Sequence, residues 1–398
     1  MSGVCRLLVI CPSWVGDAAM ATPALSLLRE HMPGAFIGAL VRPGIDEVYD
    51  GSPFFDEMHV DRAAGMMGPK FAANKIRPRQ YEAALLLSNS LRTAVTARLA
   101  GIPRRVGFDR DGRGLLLSQR LQAPRSARAW AVIPAITYYW HAATRLLQPE
   151  LPAALDASAP LPDRPMRLGV SDAQEAEARA GLARLLSPHG PQREGPSSTT
   201  REPVIFLCPG GNDPAKRWPR EHFADLAARL ARHTSASIIV TGSPAEADLT
   251  RSIVDGARTQ GAPENRVFDL AALGLSLGGI KAALAGASLL ITNDTGPRHL
   301  GAAMGVPLVS LFGPTDRRWA RIVSSAPEVE VLADPTLPPE FSANDHPERC
   351  AMTRIEPDRV WEAACEVLRQ HPVQTWEDHW ASRSALRIGA SGGGTPGS

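Results

Sequence analysis

The chain has few cysteines, and none of them stand in a Cys-x-x-Cys pair. Cys5, Cys11, Cys208, Cys350 and Cys365 are scattered, three of them in or beside apolar runs, so they read as reduced, mostly buried thiols. No stretch reaches the roughly 20 apolar residues of a membrane-spanning helix; the nearest, residues 129–140, stops at about a dozen. The apolar run that begins at Leu7 is too short for a signal-peptide core and gives way to Pro12 and Asp17. These absences predict a cytoplasmic protein that at most touches the inner face of a membrane as a peripheral protein. Net charge is also small, 43 basic against 41 acidic residues, which removes any bulk argument for nucleic acid as a partner. The local clusters Arg77–Arg79 and Arg104-Arg105 read as solvated faces or as contacts for an anionic partner. No Gly-x-Gly-x-x-Gly follows the first apolar run, which argues against a nicotinamide or flavin site. No Gly-Lys dipeptide occurs anywhere, which excludes a Walker loop. No short repeat is visible.

With 398 residues the chain exceeds one compact core, and two domains of ordinary size follow. Apolar runs of strand length alternate with alanine-rich helical patterns at 7–11, 18–30, 36–41, 83–87 and 92–100, an α/β signature with a parallel sheet. Residues 145–167 fade into a Pro-, Ala- and Asp-rich linker, which sets a boundary near Asp163. A second series opens with a helix at 172–186 and is interrupted by a polar insert at 188–203, expected to be a mobile loop. It resumes with strands at 204–208, 237–241, 267–269, 289–292 and 308–312. The helices of this series lie at 220–233, 246–260, 277–285 and 357–371. The expected layout is a Rossmann-like domain over 1–163, a second over 164–371, and a C-terminal segment over 372–398 whose Gly/Ser tail is disordered.

Three turns at strand ends carry the chemistry, because parallel sheets bind ligands at the carboxyl ends of their strands. In Pro12-Ser-Trp-Val-Gly-Asp17, Gly16 permits a tight turn, and Asp17 is either a helix N-cap or a carboxylate aimed into a cleft. Trp14 sits in that same turn, where packing alone rarely puts a large aromatic. In Pro209-Gly-Gly-Asn-Asp-Pro-Ala-Lys216-Arg-Trp-Pro219, Gly210 and Gly211 permit close approach to an anion, and Pro219 starts a helix. Lys216 there is either a solvated loop lysine or a point charge for phosphate. In Thr292-Asn-Asp-Thr-Gly296, a buried strand opens into a helix whose first turn holds Pro297 and His299. Amides at that helix end suit a diphosphate; Thr295, the Gly296 amide and His299 would face the anion, with Asp294 a cap or a residue that shapes the pocket.

Other patterns carry nothing. Asp109-Arg-Asp111 looks like a metal-binding Asp-x-Asp but lies in an Arg/Gly-rich loop, so no metal is expected. Gly389-Ala-Ser391-Gly-Gly393 matches a nucleophile elbow with no strand before it, and the Asn293-Asp-Thr295 sequon is empty in a cytosolic chain.

The three turns in this order, followed by Gly305-Val-Pro-Leu-Val-Ser-Leu-Phe-Gly-Pro-Thr315, closely resemble glycosyltransferase family 9, the ADP-heptose:lipopolysaccharide heptosyltransferases, nearest the heptosyltransferase II branch. The resemblance spans roughly residues 4–370. It implies a GT-B fold, two Rossmann-like domains facing across a cleft, with donor held by the second and acceptor by the first. It also implies an inverting direct displacement that transfers a heptose-type sugar from an ADP-sugar to a phosphorylated, lipid-linked saccharide. Carried over by position, Asp17 is the base, Lys216 meets the donor phosphates with Gly210 and Gly211, and Thr295, Gly296 and His299 line the diphosphate pocket that Asp294 shapes. Glu246 matches the family acid near the ribose. No cofactor is required, because lysine and helix amides take up the charge of the leaving diphosphate. Ser13, Trp14 and Arg105 belong on the acceptor side, where the Arg-rich loop 104–113 would meet acidic groups. Pro297-Arg298 is a bulkier and more basic pair than the resemblance implies, and 341–350 only partly matches the family's Cys/His-rich stretch. The same pocket would also suit a non-catalytic sugar-nucleotide binding protein, or a nucleotide-sugar epimerase that works without acceptor.

Overall fold

The computed structural model describes residues 4–126, 129–186, 202–341 and 346–371. Most of the 188–203 insert and the whole 372–398 segment lie outside them. The described chain divides into two compact units at Ser171/Asp172, and Asp316–Ser325 belongs with the first.

The first unit runs β1 (Arg6–Ile10), α1 (Val15–Met20), α2 (Thr22–His31), β2 (Phe36–Val41), α3 (Ile45–Tyr49), β3 (Glu57–Val60), α4 (Gly68–Ile76), β4 (Ala83–Leu86), α5 (Leu91–Leu99), β5 (Arg104–Phe108) and β6 (Gln119–Leu121). A two-residue hairpin, β7 (Arg125–Ser126) and β8 (Ala129–Trp130), precedes α6 (Ala135–Leu147). The six strands β1 to β6 pair in parallel in the order β3-β2-β1-β4-β5-β6. Leu7, Leu8, Val9 and Ile10 of β1 are all buried, as a central strand covered on both faces requires.

The second unit runs α7 (Asp172–Leu186), β9 (Val204–Cys208), α8 (Arg220–His233), β10 (Ser237–Val240), α9 (Ala247–Thr259), β11 (Val267–Asp269), α10 (Leu277–Ala285), β12 (Leu289–Asn293), α11 (Gly296–Met304), β13 (Leu308–Phe312), β14 (Glu328–Leu332) and α12 (Pro357–Gln370). Its sheet repeats the same order, β11-β10-β9-β12-β13-β14, again parallel. Every residue of β9, β12 and β13 is buried, which is why these strands are mostly apolar, with Thr292, Asn293 and Ser310 the polar residues among them. Strand order reverses between β1 and β4 in one sheet and between β9 and β12 in the other. In such sheets the crevice beyond the carboxyl ends at the reversal is where ligands bind.

The first unit continues past Asp163, where the linker was expected to end it. Met166, Leu168 and Val170 are buried in it, the Gly169 amide donates to Ser52 Oγ at 2.8 Å, and a Cβ on Gly169 would stand 1.9 Å from the Gly51 carbonyl oxygen. The proline-rich composition of the linker hides a segment fixed by three buried apolar side chains and a close backbone approach at Gly169. The sequence pattern also gives no apolar run at β14, because its Glu-Val-Glu-Val alternation marks a half-covered edge strand. Among the described residues no helix is long and apolar enough to cross a membrane.

Candidate active site

In the second unit the glycine turn after β9 is held by three side chains. Asn293, fully buried at the end of β12, donates from Nδ2 to the Pro209 carbonyl at 2.8 Å and the Gly210 carbonyl at 3.2 Å, while its Oδ1 accepts from the Trp218 amide at 3.2 Å. One side chain therefore fastens both ends of the turn across the strand reversal. Arg217 donates through Nε and Nη2 to the Gly211 carbonyl at 2.8 and 2.6 Å. Glu246 accepts from the Gly211 amide at 2.9 Å and, through its other oxygen, from the Ser243 amide and hydroxyl at 2.8 Å each. Burial works against the Glu246 charge, yet these bonds hold its carboxyl below the usual range.

Both glycines are required by contact. A Cβ on Gly210 would stand 2.2 Å from Glu246 Oε1, and one on Gly211 would stand 2.8 Å from Thr295 Cγ2. Thr295 is the N-cap of α11, so the glycine turn lies directly against that helix start. Pro297 lacks an N–H and the Arg298 amide is bonded to the Thr295 carbonyl at 3.1 Å. The amides of this turn that remain to meet an anion are thus those of Thr295 and Gly296, fewer than a helix start usually offers. Lys216 ends the Pro214–Lys216 turn with its Nζ 3.8 Å from Asp294.

Asp294 does not cap α11. It pairs with Lys216 and, at 3.2 Å, with Arg298, a guanidinium that also forms a two-pronged bond to Glu328 at 2.7 and 3.0 Å and lies over Phe312. The unusual arginine of the motif therefore points inward and ties α11 to β14. His299 is buried, its Nδ1 has no partner among the described residues, and burial with Arg298 and Lys216 nearby pushes its pKa well below the ordinary 6.5. It is a neutral ring, not a cation that could meet phosphate by charge.

In the first unit Trp14 is the N-cap of α1 and is 66% exposed, with Ser13 exposed beside it. Asp17 is the third residue of α1 and does not cap it. Its Oδ1 accepts from Tyr139 Oη at 2.8 Å, a residue of α6 that lies 122 positions away. Burial raises the Asp17 pKa and the tyrosine bond partly offsets that rise. Burial and Asp17 push Tyr139 well above the ordinary phenol value, so it stays protonated and donates. A carboxylate oriented this way, with raised basicity, is what a general base needs.

Arg105 is not free to meet an acceptor. Its guanidinium donates to the carbonyls of Leu116, Ile102 and Pro103 at 2.6, 2.5 and 2.9 Å, on the amino side of β5 and away from the strand carboxyl ends. Arg113 of the same loop is fully buried and donates to the carbonyls of Ser88 and Phe108 and to Asn89 Oδ1. Arg105 and Arg113 therefore serve the fold. Asp109 is likewise placed against Gly114 and 4.0 Å from Arg120, and among the described residues no group of three or more His, Cys, Asp or Glu could hold a metal ion. Cationic groups at the strand carboxyl ends include Arg42 and Arg92. They share buried Asp61 at 3.4 and 2.8 Å beside a cavity of about 260 Å³ that Ser13 and Ser90 also line. A larger cavity of about 450 Å³, lined by Val4, Met32 and Arg104, opens at the amino ends of the strands and is remote from this chemistry. Tyr139, Arg42 and Arg92 lie in no motif, while Asn293 stands inside the third turn, where its place at the end of a strand is the one signal of its role.

The model for glycosyltransferase family 9 (heptosyltransferase) matches residues 72–344. The lipooligosaccharide heptosyltransferase 2 of Haemophilus influenzae is 28% identical over 320 residues, 79% of this chain and 85% of that protein. The lipopolysaccharide heptosyltransferase 2 of Escherichia coli K12 is 26% identical over 322 residues, 78% of this chain and 83% of that protein. The solved structure of E. coli ADP-heptose lipopolysaccharide heptosyltransferase II aligns with a TM-score of 0.71 at 24% identity, covering 92% of this chain and 99% of that one. That likeness shows the fold, the GT-B arrangement of two Rossmann-like units.

Proposed function

Because this chain belongs to glycosyltransferase family 9, we propose that it moves a heptose-type sugar from an ADP-sugar onto the lipopolysaccharide core or a similar phosphorylated, lipid-linked saccharide. The transfer is a single inverting displacement. Asp17 takes the proton of the acceptor hydroxyl as that oxygen attacks the anomeric carbon and ADP departs. The observation that carries this reading is the Asp17–Tyr139 pair: a half-buried carboxylate, raised in basicity and held in one orientation by a phenol that stays protonated.

The donor belongs to the second unit. Lys216 and the amides of Thr295 and Gly296 receive the diphosphate, and the growing negative charge of the leaving group strengthens those contacts in the transition state. Gly210 and Gly211 let the backbone approach, Glu246 holds that turn and reaches the ribose side, and His299 acts as a neutral hydrogen-bonding ring. This charge compensation requires no cofactor. The acceptor belongs to the first unit, with Ser13 and Trp14 beside Asp17 and with Arg42 and Arg92 in place of Arg105 for its acidic groups. The protein works at the inner face of the cytoplasmic membrane as a peripheral protein. Membership in a glycosyltransferase family does not favour the binding-protein or epimerase readings.

The test is ADP release from ADP-heptose with and without a lipopolysaccharide-core acceptor. Release requires acceptor, and Asp17→Asn loses about 10² to 10⁴ in turnover while it still binds the ADP-sugar. Full activity in that variant would remove Asp17 from the role of base.

A further inference from the structure

Apolar side chains that stand in water are costly unless something covers them. Three of the large ones in this chain are neighbours: Met66, Met67 and Phe71 are 97%, 51% and 61% exposed on the turn that leads into α4 and on its first turns. The opposite face of α4 is ordinary core, with Ala72, Ala73 and Ile76 buried. Helical spacing puts Phe71 four residues after the N-cap Met67, with Lys70 beside it and Met66 in the preceding turn, so apolar and cationic groups adjoin at the helix start.

Charge around this patch has one sign. Residues 62–81 contain Arg62, Lys70, Lys75, Arg77 and Arg79 and no carboxylate. Glu57 compensates Arg79 at 2.6 Å, whereas Lys75 and Arg77 donate to the carbonyls of Val60 and Leu99, contacts that leave their charge in place. The nearby Asp61 is buried between Arg42 and Arg92 and adds no negative field. An apolar ridge ringed by uncompensated cations fits an anionic bilayer surface, where flexible methionines and a phenyl ring enter the headgroup boundary and lysines and arginines meet lipid phosphates.

We propose that Met66, Met67 and Phe71, with Arg62, Lys70 and Lys75, form the surface by which this protein docks on an anionic membrane. The assignment rests on the reading that the acceptor is lipid-linked. It also has a consequence for the first unit: a Cβ on Gly68, the first residue of α4, would stand 2.2 Å from the Arg92 guanidinium, so the docking helix starts directly on the cavity beside Ser13. Docking there brings that cavity to the bilayer surface, where the saccharide of a lipid-anchored acceptor projects.

The experiment is co-sedimentation of the full chain with vesicles rich in phosphatidylglycerol and with matched phosphatidylcholine vesicles. Binding is expected to anionic vesicles only and to weaken with salt. Met66→Ser with Phe71→Ser lowers the partition coefficient roughly ten-fold or more, and Lys70→Gln lowers it about five-fold. Equal binding to both vesicle types, or wild-type binding by these variants, overturns the proposal. A concentration-dependent dimer abolished by the apolar substitutions, without vesicle binding, also overturns it and makes the occupant a second copy. Turnover separates the two readings: the apolar variant keeps wild-type activity on a deacylated, soluble acceptor, while Asp17→Asn keeps vesicle binding and loses activity. Loss of soluble-acceptor activity in the apolar variant would mean the patch is not a docking surface.

Discussion

Tyr139→Phe tests the assignment of the base more sharply than removal of Asp17. The phenol donates to the Asp17 carboxylate at 2.8 Å, and a hydrogen bond to a charged group contributes about 1.5–3 kcal/mol. Its loss removes the contact that offsets burial, so the Asp17 pKa rises further and kcat/KM on the acid side falls about ten- to a hundred-fold. The acid limb of kcat/KM against pH then moves to higher pH. At pH values above the new limb the carboxylate is again ionised and most activity returns, which Asp17→Asn does not allow at any pH. The same linkage acts on stability. A native carboxyl that holds its proton more tightly than the unfolded chain loses stability as pH rises from the ordinary 3.8 to the raised native value, and the loss is larger in Tyr139→Phe. The assay is a kcat/KM–pH profile with acceptor varied, beside urea unfolding over the same pH range. A limb that stays in place or moves down refutes the reasoning.

Asn293→Asp is nearly isosteric but cannot donate, so a buried Pro209 carbonyl loses its partner at a cost of about 1–3 kcal/mol. ADP-sugar affinity measured by calorimetry should fall about ten-fold or more as the glycine turn loosens, and unchanged affinity would dissociate that turn from the donor. Arg298→Met takes the two-pronged cation from partly covered Glu328 and leaves buried Asp294 with Lys216 alone, and should destabilise the protein by about 3 kcal/mol in urea unfolding. Adding Glu328→Gln should restore part of that loss, and strict additivity of the two substitutions would contradict the network.

Sequence by itself determined the fold class and the positions of the functional turns. Parallel strands covered on both faces are mostly apolar, so β1, β9, β12 and β13 stand out in the sequence, and glycines needed for close approach cannot be replaced without clash. Half-covered elements such as β3 and β14 lack that signal, and 164–171 resembles a linker because it forms no strand or helix, although Met166, Leu168 and Val170 are buried and Gly169 packs on Gly51. Only the tertiary structure decided what each polar side chain does. Asp17 meets Tyr139 from 122 residues away, Arg298 turns inward to Glu328, Arg105 is spent on carbonyls, and His299 is stripped of charge by burial. Local sequence specifies backbone conformation through short-range sterics and periodic burial. Charge state and hydrogen-bond partner depend on what the fold brings to the same few ångströms, and no spacing along the chain records that.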